Sequence, residues 1–161
     1  MKKALLYNLL LLAVGITLTS CEKDLDSNPT LKVNTTGFVL NTPANAANNT
    51  YDLANSNSIN LKCSQPDFGG FPVVTNYNVQ VSIDPAFADT TAEAPRFAEL
   101  STAYQKANMD VNSTELNDTL IALYKEVNGE DAIPTEAMPV YIRLRAHVNR
   151  TDYTNTLSNV I

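Results

Sequence analysis

The chain has 161 residues, 11 of them basic and 17 acidic, for a formal net charge of −6. That length suits one domain large enough to bury a real core. The acidic balance argues against nucleic acid and against anionic lipid as partners.

Met1-Lys2-Lys3 is a short positive head, and Ala4 to Leu18 is apolar apart from Tyr7, Asn8 and Thr17. A membrane-spanning helix needs about 20 consecutive apolar residues. This run is shorter and a polar stretch follows at once, so residues 1–20 read as a secretory signal peptide. Cys21 then poses a question, because Cys63 is the only other cysteine. It is half of a disulfide, a metal ligand, a catalytic thiol or a place to attach lipid. Leu18-Thr19-Ser20-Cys21 resembles the bacterial lipobox: an aliphatic residue, two small residues, then cysteine. In that pattern the cysteine becomes the first residue of the mature chain, and its thiolate is the group that takes lipid. One acyl chain holds a protein weakly, whereas two or three anchor it stably. Cys21 is thus expected to be a covalent anchor. Cys63 is left single, which excludes a disulfide framework and a Cys-based zinc site. It alternates with Ile59 and Leu61 and reads as a small buried hydrophobe.

Residues 21–36 are expected to be the lipidated cysteine and a flexible tether, polar, with Pro29 and little periodicity. Extended, it would reach on the order of 50 Å. Residues 37–161 are dominated by period two. Strands are expected over Phe38–Leu40, Ser58–Ser64, Thr75–Ile83 and Val140–Val148, with shorter ones over Arg96–Leu100, Lys106–Val111 and Thr154–Ile161. In Thr75–Ile83, Tyr77, Val79, Val81 and Ile83 face one way, and Asn76, Asn78, Gln80 and Ser82 face the other, as in a half-buried strand. Asn112-Ser113-Thr114-Glu115 is a capping-box pattern. Leu116, Leu120, Leu123, Tyr124 and Val127 then share one helical face, and Gly129 stops it. The fold class is mainly β: an immunoglobulin-like antiparallel β-sandwich with one amphipathic helix between strands.

The residues argue against catalysis. His147 is the only histidine, on a strand beside Arg143 and Arg145. There is no nucleophile elbow and no Gly-rich phosphate loop. A glycosidase needs paired carboxylates in a cleft, but the acidic residues fall mostly in turns, the tether and the helix start. No carboxylate cluster has calcium-loop spacing. No enzyme, metal or cofactor is expected. Tyr77, Tyr124, Phe68 and Phe71 read as packing residues. Tyr141, on the polar face of its strand next to Arg143, is the best single candidate for a sugar contact, set against an ordinary solvated sheet face. Two triplets, Asp89-Thr90-Thr91 and Asp118-Thr119-Leu120, resemble a bacterial O-glycosylation motif.

The run Pro66-Asp67-Phe68-Gly69-Gly70-Phe71-Pro72 before Tyr77-Asn78-Val79-Gln80-Val81 resembles the N-terminal domain of SusE-type outer-membrane lipoproteins. So do Asp84-Pro85-Ala86-Phe87 after that strand, and the helix followed by Met138-Pro139-Val140-Tyr141-Ile142-Arg143-Leu144-Arg145-Ala146. The resemblance implies a lipoprotein on the outside of the outer membrane of glycan-degrading Bacteroidetes, held near a SusC/SusD-type import complex. Glu22, Lys23, Asp24 and Asp26 look like the sorting signal for that surface. In the family this domain is a membrane-proximal spacer, and starch or other polysaccharide is bound by further domains. The sequence reaches only Ile161, so the last strand is expected to be truncated. The reading is a non-catalytic anchor and spacer in surface glycan binding and uptake. The alternatives are a structural or adhesive lipoprotein associating through an open strand edge, and an accessory domain of a glycan-degrading enzyme.

Overall fold

The computed structural model describes residues 31–32, 37–44, 46, 50–70, 73–87, 97–149 and 154–161. They belong to one compact unit, Leu31–Ile161. Its elements are β1 (Leu40–Asn41), β2 (Ser58–Cys63), β3 (Thr75–Ser82), β4 (Phe97–Tyr104), β5 (Asn108–Asn112), α1 (Ser113–Asn128), β6 (Tyr141–Val148) and β7 (Thr156–Leu157). Two antiparallel sheets form, in the orders β1-β2-β5 and β4-β3-β6-β7. Sequence neighbours β2 and β3 lie in different sheets, as do β4 and β5, which is the crossing pattern of an immunoglobulin-type sandwich. Helix α1 carries the chain from β5 in one sheet to β6 in the other.

The inner faces make the core. Leu40, Leu61, Met109 and Val111 come from one sheet; Tyr77, Val79, Val81, Leu100, Leu144 and Ala146 come from the other. Val79, Val81, Leu144 and Ala146 are 0% exposed. Full burial of one such Val or Leu side chain is worth about 1.5–3 kcal/mol. The Phe38 and Tyr77 rings meet across the sandwich with centroids 6.0 Å apart. Leu116 and Leu120 of α1 join the same cluster, and Leu123 is buried as well. The apolar stripe ends there. Tyr124 is half-buried and Val127 is exposed, because the last turn of the helix runs past the sheets.

The helix begins at Asn112, whose Oδ1 accepts the Glu115 N–H at 2.9 Å. Gly129, at φ 109°, ends it and returns its N–H to the Lys125 carbonyl at 2.8 Å. The capping box is only half used. The Glu115 carboxylate turns to β4 and accepts from Ser101 Oγ (2.7 Å), Thr102 N (3.1 Å) and Thr102 Oγ1 (2.7 Å). Those residues lie in a bulge. Gln80 pairs with Glu99 and Asn78 with Ala103, so β4 carries extra residues between the two pairs.

Phe68 packs in the part of the loop before β3 that the structure describes. Phe68 is buried and its carbonyl accepts from Lys32 N at 3.1 Å. Asp67 Oδ1 accepts the Gly70 N–H at 2.8 Å, with Gly69 and Gly70 both at positive φ. The strand boundaries differ from those read in the sequence: β2, β3 and β6 are each one residue shorter, β5 is Asn108–Asn112 rather than Lys106–Val111, and the larger differences lie in β1, β4 and β7. β1 lies at Leu40–Asn41, after buried Phe38; β4 extends to Tyr104; and the regular part of the last strand is Thr156–Leu157. A bulge shortens the last one, since Ile161, rather than Val160, exchanges both backbone hydrogen bonds with Ile142 (3.0 Å each).

Candidate functional site

The lipobox residues Leu18, Thr19 and Ser20 and the expected anchor Cys21 lie outside the described residues, as do Phe71 and Asp89-Thr90-Thr91. The described chemistry collects on the outer face of the β4-β3-β6-β7 sheet. Here the half-buried reading of β3 is corrected. All eight of its residues are buried, the polar row included: Asn76, Asn78, Gln80 and Ser82 are at most 8% exposed. A central strand has a neighbour on each side, and long side chains from both neighbours lie across its short amides.

Arg145 reaches from β6 over β3 to Glu99 on β4. Its Nε and Nη2 donate to Glu99 Oε2 and Oε1 at 2.8 and 2.6 Å, a two-pronged ion pair. Arg145 also donates to Asn78 Oδ1 at 3.3 Å and to Asn155 Oδ1 at 3.0 Å. Gln80 is held twice: its Nε2 donates to Glu99 Oε2 at 2.8 Å, and its Oε1 accepts from Arg143 Nε at 2.7 Å. The Arg143 guanidinium lies over the rings of Phe87 and Phe97, 4.3 and 5.0 Å from their centroids. Phe87 ends a turn built on Asp84 and sits at φ 45°, a strained position for a side chain of this size.

The electrostatics follow from this packing. Arg145's hydrogen bonds hold the Glu99 carboxyl below its ordinary range, against the opposing effect of burial. Burial and the Arg145 charge push the His147 imidazole down, with Glu99 opposing. His147 is half-buried, with Nδ1 3.4 Å from Arg145 Nη1. Tyr141 heads the same row of β6, in register with Ser82, and is half-buried. The hydrogen-bonded lattice starts two residues beyond it, at Arg143. Sequence reasoning named Tyr141 but missed the Glu99–Arg145 pair and its amide floor. The legible signal was two polar rows at period two, Asn76/Asn78/Gln80 and Arg143/Arg145/His147, on the two longest alternating segments.

Two other sequence features are settled locally. Cys63 is a free, half-buried thiol packed against the core, and burial pushes its pKa up to about 11. It is therefore a poor nucleophile. Thr119 Oγ1 donates to the Glu115 carbonyl at 2.7 Å within α1, so its hydroxyl is engaged by the helix. An open groove of about 960 Å³ runs between α1 and the loops at residues 50–54 and 134–140. Leu53, Ile59, Leu120, Ile121, Met138 and Val140 line it.

A family model described as SusE outer membrane protein matches residues 23–145, which is more than half of the chain. The match spans β1 through α1 and ends at Arg145 of the ion pair. No solved structure matches the chain.

Proposed function

The chain belongs to the SusE outer membrane protein family, and on that premise we propose that it is a non-catalytic anchor and spacer in surface glycan binding and uptake. In this reading residues 1–20 are removed, Cys21 carries lipid, residues 21–36 are the tether, and residues 37–161 stand off the outer membrane on the cell-surface side. Polysaccharide is held by other domains, beside a SusC/SusD-type import complex.

The observation that carries the spacer role is the saturation of the polar sheet face. Sugar-binding faces offer polar groups and aromatic planes to the ligand. Here Glu99, Arg145 and Gln80 are hydrogen-bonded to one another, and the Phe87 and Phe97 rings lie under Arg143. A ligand would have to break these contacts. The test is migration of the mature chain in native gels cast with starch and with other polysaccharides. Mobility equal to that in plain gels is expected. Retardation abolished by Tyr141→Ala would show instead that this domain binds glycan itself.

A further inference from the structure

Helix α1 ends on Asn128, and Gly129 follows it. This is the one asparagine followed by glycine in the 161-residue chain. The pair carries its own chemistry. A backbone nitrogen can attack the side-chain carbonyl carbon of the asparagine before it, and glycine leaves the approach uncrowded because it has no Cβ. Asn128 is exposed, as are Val127, Gly129 and Glu130, so the sheets do not cover this turn. Two hydrogen bonds hold the reacting groups in place. The Gly129 N–H donates to the Lys125 carbonyl at 2.8 Å, and Asn128 Nδ2 donates to the Tyr124 carbonyl at 2.9 Å. The first engages the nucleophile and the second engages the leaving group. Both lie in an uncovered terminal turn, the kind of backbone that opens without the rest of the domain.

We propose that Asn128-Gly129 is a site of spontaneous covalent modification in the folded chain, and that the modification uncaps α1. Once the turn opens, the Gly129 nitrogen gives up its proton to solvent and attacks Cγ of Asn128. A bond forms between that nitrogen and Cγ. The Cγ–Nδ2 bond breaks, and the amide nitrogen takes a proton from solvent and leaves as ammonia. Water then opens the cyclic imide at either carbonyl carbon, giving aspartate or isoaspartate, with nothing oxidised or reduced. Each product places a carboxylate where an amide stood. The donor to the Tyr124 carbonyl is lost, and an acceptor faces that carbonyl instead. The new charge sits at the negative end of the helix dipole. Glu126, Glu130 and Asp131 are close along the chain, and Lys125 is the basic residue of the last turn. Isoaspartate also routes the backbone through the former side chain, which shifts Gly129 out of register with the Lys125 carbonyl.

The test is peptide mapping by mass spectrometry on the folded mature chain, held warm in mildly alkaline buffer. Isoaspartate is read separately, by methyl transfer with an isoaspartyl methyltransferase. Asn128 is expected to convert at least about tenfold faster than any other asparagine of the chain, since it alone precedes a residue without a Cβ. Asn128→Gln is expected to abolish the methyl label. Asn128→Asp, which installs one of the products, is expected to speed amide hydrogen exchange from Lys125 to Gly129 by at least about threefold and to leave the β3 amides unchanged. An Asn128 still intact when other asparagines have reacted would overturn the proposal. So would an Asn128→Asp chain whose last helical turn stays as protected as in the unaltered chain.

Discussion

Glu115 holds Thr102 twice over, accepting its backbone N–H at 3.1 Å and its hydroxyl at 2.7 Å, so the first turn of α1 grips the bulge of β4. A residue that the capping pattern assigns to its own helix instead fastens that helix to the opposite sheet. Glu115→Ala is expected to cost about 1 kcal/mol, since the bonds are charge-assisted but the site is solvent-exposed. Chemical denaturation measures it. Asn112→Ala, which removes the true cap, is expected to cost about 1 kcal/mol as well.

The Glu99–Arg145 pair gives a second prediction. Both side chains are under a third exposed and joined by two short bonds. Arg145→Lys keeps the charge but loses the fork. A double-mutant cycle on Glu99→Gln and Arg145→Lys is expected to give a coupling of about 1 kcal/mol. A coupling near zero would make the pair incidental to stability.

Acid is expected to weaken the fold in two stages. His147 is held below its ordinary value of 6.5, so the native state favours the neutral ring. That contribution is complete above 6.5 and is lost as pH falls through the depressed folded value. The carboxyls come second. For Glu115, burial acts upward, but the hydrogen bonds from Thr102 and Ser101 outweigh it, and the pKa is lowered. Glu99 is lowered by Arg145. Both contribute fully above their ordinary 4.5 and lose that contribution as pH falls through the folded values. Melting temperature against pH measures this, and His147→Gln is expected to remove the first stage alone.

A fourth prediction concerns the last strand. Thr156→Val removes the orphaned hydroxyl while keeping the side chain's shape. It is expected to stabilise the chain by about 1 kcal/mol, whereas Leu144→Ala, at the centre of the core, is expected to cost about 3 kcal/mol.

Much of this fold was legible because the two long alternating segments and the capped helix report their faces directly. The alternation of Tyr77, Val79 and Val81 with Asn76, Asn78 and Gln80 located β3 and its core side. It misplaced the polar side, because period two separates two faces without saying what covers each. Burial of Asn78 depends on Arg145 and Glu99 from strands 67 and 21 residues away along the chain, a register that no local pattern encodes. Val127 failed for a similar reason: helical periodicity continues past the point where the sheets end. The β7 bulge was hidden because Ser158 and Asn159 work through side-chain bonds.

The anchored-spacer account is tested most directly by following acyl attachment and location of the full chain, with Cys21 intact and with Cys21→Ala, in a bacterium that matures surface lipoproteins. The account predicts that the intact chain takes up labelled fatty acid, fractionates with the outer membrane and is cut by protease added to whole cells. It predicts that Cys21→Ala loses the label and leaves the membrane. An intact chain without label, or a Cys21→Ala chain that stays in the outer membrane, would contradict it.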